Sequence, residues 1–60
     1  MYKNIIAEQL KLKLTNKDVA KVLNISTSLY KRKLATGNFL ASELIILANH
    51  YQCSIDYLLK

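Results

Sequence analysis

The segment "TNKDVAKVLNISTSLYKRKL", Thr15 to Leu34, constrains this chain more than any other, because two helix starts stand close together in it. Thr15 is a good N-cap. Asp18, three residues on, completes a capping-box-like pair and suits the positive end of a helix. Val19, Val22 and Leu23 then share one helical face, with Ala20 on its flank and Lys17 and Lys21 opposite. The spacing predicts a helix over 16–23. Asn24 tolerates the left-handed backbone of a tight exit. Ser26 caps a second helix over 27–35. Only Asn24 and Ile25 separate that cap from the first helix, so the two helices must meet at a steep angle with Ile25 plugging the corner.

The remainder of the chain reads the same way. Ile5, Ile6 and Leu10 recur at helical spacing over 4–12, with Asn4 as a cap. In the second helix of the pair, Tyr30 and Leu34 form the inward stripe, with the Tyr30 hydroxyl at the surface. Ser28, Lys31 and Arg32 face outward, Lys33 falls at the edge, and Leu29 is half-exposed. "TGNF" is a loop in which Gly37 supplies backbone freedom and Phe39 returns to the core. A helix over 41–51 turns Leu44, Ile45, Leu47, Ala48 and Tyr51 inward, and Ser54 caps a short last helix. With no Pro and one Gly, the expected fold is all-α. It is a compact bundle of five short helices containing a helix-turn-helix, with residues 1–60 as a single domain. A chain this short buries only about 60% of its unfolded surface, so the core is marginal.

Charge is unevenly placed. Residues 1–33 carry eight Lys/Arg against Glu8 and Asp18, which is +6; residues 34–60 carry Lys60 against Glu43 and Asp56, which is −1. A solvated surface or a nucleic-acid partner accounts for such asymmetry. The lone cysteine, Cys53, makes an intramolecular disulfide impossible. No apolar run approaches the ~18 residues of a membrane span, and the N-terminus is unlike a signal peptide, so the expected location is the cytoplasm. His50 and Cys53 form an isolated H-x-x-C. Zinc normally takes four ligands, and no other Cys or His is present, so no metal site is expected. The four carboxylates are scattered and there is no Gly-rich phosphate loop; neither enzyme activity, a cofactor nor a small-molecule substrate is expected.

Thr15 to Leu59 resembles the helix-turn-helix domain of the lambda-repressor/Cro-like (Xre-type) family, of the phage repressor kind. "TNKDVAKVLNIS", "STSLYKRKL", "NFLASELIILANHY" and "CSIDYLL" carry the resemblance in order. Ala20 takes the family's small-residue place, Asn24 the turn place usually held by Gly, and Ile25 the apolar place after it. The chain departs from the pattern at Asn16, where Gln is usual, and at Leu40, where a capping Thr or Ser usually stands.

The resemblance implies a transcriptional regulator that binds double-stranded operator DNA as a homodimer, with the 27–35 helix in the major groove. It implies base contacts from Thr27, Ser28 and Lys31, with Arg32 touching base or phosphate; their hydroxyl, ammonium and guanidinium groups suit base edges. The alternative for Thr27 and Ser28 is service at the helix N-terminus. Phosphate contacts are expected from Asn16, Lys17, Lys21, Lys33 and Asn38. Leu40, Tyr57 and Leu58 are the expected dimer surface, because the apolar C-terminal segment exceeds what one small core needs. A rival class is a protein-interaction helix-turn-helix module, such as an antirepressor or regulator-binding protein. The start at Met1 leads us to expect a free-standing chain rather than part of a longer repressor.

Overall fold

Asn24 adopts the left-handed conformation (φ 59°), and around it two short helices fold onto each other. The structure is a computed structural model that describes residues 2–60; Met1 lies outside the described residues. It contains α1 (Lys3–Lys11), α2 (Asn16–Leu23), α3 (Thr27–Thr36), α4 (Ala41–Tyr51) and α5 (Ile55–Leu58), with no strand among the described residues. The all-α expectation and the five helices are thus observed. α2 packs on α3 and α4, and α5 bridges α4 to α1.

Local chemistry sets the helix bounds. At the start of α2, the Asp18 N–H donates to Thr15 Oγ1 (3.1 Å) and the Thr15 N–H donates to Asp18 Oδ2 (2.9 Å), so the shorter Asp does close the capping box. Ser26 and Ser54 accept from the Leu29 and Tyr57 N–H groups and start α3 and α5. Leu40 holds the N-cap position of α4 without a capping side chain. Glu43 supplies half of the missing box by accepting the Leu40 N–H at 2.8 Å, so α4 starts at Ala41. At the C-terminal ends of α1, α2 and α4, Lys13, Asn24 and Gln52 all have positive φ. The next N–H in each case reaches back five residues, as Ile25 does to the Ala20 carbonyl (3.0 Å).

The core takes Ile5 from α1, Val19, Ala20 and Leu23 from α2, and Tyr30 from α3. α4 adds Leu44, Leu47, Ala48 and Tyr51, and α5 adds Leu58. Phe39 returns to pack edge-on against Tyr2 and Tyr30. Several expectations are corrected. Ile6 and Leu10 are exposed, Leu10 by 68%, and the buried face of α1 is instead Ile5, Glu8 and Gln9. Those two polar side chains are buried because each finds partners. Glu8 Oε2 accepts from Tyr57 Oη (3.0 Å) and pairs with Lys11 Nζ (3.1 Å). Gln9 bonds Tyr30 and Asn16. The Tyr30 hydroxyl is therefore buried rather than at the surface.

Asn4 does not cap α1; it lies inside the first turn and its Nδ2 donates to the Tyr57 carbonyl (2.8 Å). Ile45 is exposed, because the buried arc of α4 is centred on Leu44, Leu47 and Tyr51. Leu58, expected at a dimer surface, is fully buried beneath this chain's own helices. Tyr57 is half-buried against the core with its hydroxyl committed to Glu8, so it too is turned to the chain's own interior. Leu40, by contrast, is 61% exposed.

Candidate functional site

The outward side of α2 and α3 concentrates positive charge and free hydrogen-bonding groups. Ser26 alone caps α3 through its side chain. Among the described residues no intrachain hydrogen bond engages the hydroxyls of Thr27 and Ser28, so service at the helix N-terminus does not occupy them. Ser28, Lys31 and Arg32 are exposed and Thr27 is half-buried at the start of the helix. Helical phase brings Ser28, Lys31 and Arg32 to one side, because residues three and four apart are neighbours. Tyr30, fully buried, anchors the opposite side of α3. Leu29 is half-buried, between the two.

On α2, Lys17 and Lys21 are exposed, one turn apart. Neither they nor Lys31 and Arg32 form an ion pair among the described residues. Four cationic heads therefore remain available on the α2–α3 pair. Asp18 is the acidic residue among them. The Thr15 backbone N–H and then the Thr15 side chain hold its carboxyl below the usual range, and its charge serves the start of α2.

Lys33 is corrected. Its ammonium lies 2.9 Å from Glu43 Oε1 and 3.2 Å from the Asn38 carbonyl, which it donates to, with both charged side chains largely buried. The cause is its position at the edge of the α3 stripe, where the long stem reaches α4 across the loop. It ties α3 to α4 and is not presented for an external phosphate. Asn38 is exposed, with its carbonyl engaged by Lys33 and its side chain unengaged. Asn16 is half-buried at the first position of α2; its Oδ1 accepts from Gln9 Nε2 at 2.8 Å.

A second polar cluster joins α1 to α5. Hydrogen bonds from Lys11 and then Tyr57 hold the Glu8 carboxyl below the ordinary range, and the same contacts raise Lys11 and Tyr57. Burial pushes the Cys53 thiol up. His50 is exposed and lies edge-on to Tyr51. Among the described residues there is no cavity and no group of three metal-ligand side chains. No helix is long and apolar enough to cross a membrane.

Sequence reasoning missed Gln9. It carries a buried connection from α3 to the start of α2, and its only signal was a polar residue on the Ile5 face of an otherwise amphipathic helix. No protein-family model matches the chain, and neither a curated protein nor a solved structure matches it.

Proposed function

We propose that this chain is a sequence-specific double-stranded DNA-binding transcriptional regulator of the Cro/repressor-like kind, a helix-turn-helix protein without enzyme activity that acts in the cytoplasm. α3 enters the major groove and α2 crosses the backbone. The observation that carries this reading is the outer face of α3, where Ser28, Lys31 and Arg32 stand exposed and unpaired while Tyr30 is fixed in the core. A rigid helix with a free polar face suits base edges in the major groove. Thr27, Ser28, Lys31 and Arg32 supply base contacts. Lys17 and Lys21, with Asn16 and Asn38, supply phosphate contacts and salt-dependent affinity. A homodimer on a palindromic operator, with half-sites about 34 Å apart, compensates for the few contacts one copy makes.

The test is a titration of duplex DNA at two salt concentrations with the native chain, Lys31→Ala and Lys17→Ala. Lys31→Ala should cost about 1–3 kcal/mol on the preferred sequence and relax base preference. Lys17→Ala should weaken all sequences alike and reduce the salt slope by about 1. Equal effects of both on all sequences would refute this division of labour. A protein-interaction module is the second reading, favoured by Leu40, Ile45 and Ile46, which are exposed at the start and on the outside of α4. Absence of any duplex binding at low salt removes the DNA reading and leaves this one standing.

A further inference from the structure

Three polar side chains on three helices form one chain of hydrogen bonds. Tyr30 Oη on α3 donates to Gln9 Oε1 on α1, and Gln9 Nε2 donates to Asn16 Oδ1 at the head of α2 (2.8 Å). The direction of this chain is fixed at its buried end. Tyr30 is fully buried, and its hydroxyl proton has one acceptor, Gln9 Oε1. Reversing the Gln9 amide would aim Nε2 at the phenol and leave that proton buried without a partner, which is costly. With Oε1 held inward, Nε2 must point towards Asn16. It takes Asn16 Oδ1, the amide's acceptor, and leaves Nδ2 with its two donors unengaged among the described residues. The chain of bonds therefore runs from an interior anchor to an exterior donor. Burial pushes the Tyr30 phenol well up from its ordinary range, so the anchor keeps its proton throughout the neutral range.

We propose that Gln9 is a positioning residue for DNA binding: anchored by Tyr30, it turns the Asn16 amide so that a donor, never an acceptor, meets a backbone phosphate. The inference rests on the DNA-binding reading. It explains how a side chain as short as Asn16 serves at the head of α2. The amide arrives already oriented, so fewer side-chain rotations are frozen on binding. An unanchored Asn would also present its carbonyl oxygen, which phosphate repels. Neutral Asn16 releases no counterion, so its contact has a distinct signature. It adds affinity without adding to the salt slope, unlike a lysine contact.

The experiment is a fluorescence-anisotropy titration of a labelled duplex at two salt concentrations. Gln9→Met and Tyr30→Phe are measured in the native chain and in Asn16→Ala, with folding checked by circular dichroism. Tyr30→Phe keeps the buried ring, so a reading survives even where Gln9→Met unfolds. We expect Asn16→Ala to weaken binding about tenfold with an unchanged salt slope. Gln9→Met and Tyr30→Phe should each weaken it about threefold or more when Asn16 is present, and not at all when Ala replaces it. Losses of the same size in both backgrounds make Gln9 merely structural and overturn the proposal, as does no loss in either. A native chain that binds no duplex at low salt is a separate result, which removes the DNA reading and the relay's use with it.

Discussion

Two buried tyrosines show how much a single hydroxyl matters in so small a core. Tyr30 donates to Gln9, whereas the Tyr51 hydroxyl is buried with no hydrogen-bond partner among the described residues. An unpaired buried hydroxyl costs stability, and burial pushes the Tyr51 phenol up to about 12. The sign follows from proton counting. Above pH 10 the unfolded phenol loses its proton while the folded one keeps it, so this contribution falls as pH rises from about 10 to about 12, by about 1.4 kcal/mol per unit. Tyr51→Phe should therefore be neutral to about 1 kcal/mol stabilising at pH 7, and its advantage over the native chain should widen above pH 10. Urea midpoints of both proteins at pH 7 and pH 11 check this; a constant difference between them counts against it. At this scale the sequence placed ring against core correctly but not the polar tips. Tyr30 was legible as buried from its helical phase, while its partner Gln9 lies on another helix, and Lys33 looked free because Glu43 is remote in sequence.

Helix ends were legible for a different reason: their chemistry is local. Thr15 with Asp18, Ser26 and Ser54 are caps that need only their own next three residues, so α2 and α3 begin where the sequence places them. The rotation of α1 was not legible. Ile6 and Leu10 outrank Glu8 and Gln9 in hydrophobicity, but the latter are held inward by Tyr57 and Tyr30, which are distant in sequence. Ile45 fails similarly, because the α4 face is selected by which helices cover it. The exits carry a further prediction. Lys13, Asn24 and Gln52 end helices in the left-handed region that favours Gly. Gln52 gains nothing there from its side chain among the described residues. Gln52→Gly should stabilise the fold by about 0.5–1 kcal/mol, or about 2–8 °C in Tm. Asn24→Gly should gain less, since Asn already tolerates this conformation. A thermal melt in which Gln52→Gly lowers Tm would remove the argument. The corner between α2 and α3 works in the opposite sense. Ala20 is 2% exposed, so Ala20→Leu should overpack it and cost about 1–3 kcal/mol, read by the same melts.

At the scale of the whole molecule, four unpaired cations on α2 and α3 and an uncharged strip on α4 lie on different helices. Lys11 and Lys33 are spent on internal pairs with Glu8 and Glu43, while Lys17, Lys21, Lys31 and Arg32 stay unpaired on the α2–α3 side. On α4, Ser42, Ile45, Ile46 and Asn49 are all exposed, share the outer face by helical phase, and carry no charge. Exposed Leu40 immediately precedes them. For two copies of a chain with net charge +5, this uncharged strip allows approach without setting lysine against lysine, and it leaves the basic faces free for the proposed DNA partner. The proposed homodimer is therefore expected across α4, with Leu40 retained from the sequence reading and Tyr57 and Leu58 replaced by Ile45 and Ile46. Ile46→Lys tests it sharply. Position 46 is exposed, so the fold should tolerate the change, and the added cation should if anything strengthen the attraction of one copy to DNA. A like charge on both copies should nevertheless disfavour pairing. Sedimentation on a palindromic duplex should then show two native chains bound together, and single bound chains at the same micromolar concentration for Ile46→Lys. Weaker assembly despite greater positive charge can come only from the lost pairing. A native chain that remains monomeric on the duplex, or an Ile46→Lys chain that still pairs, would move the interface away from α4.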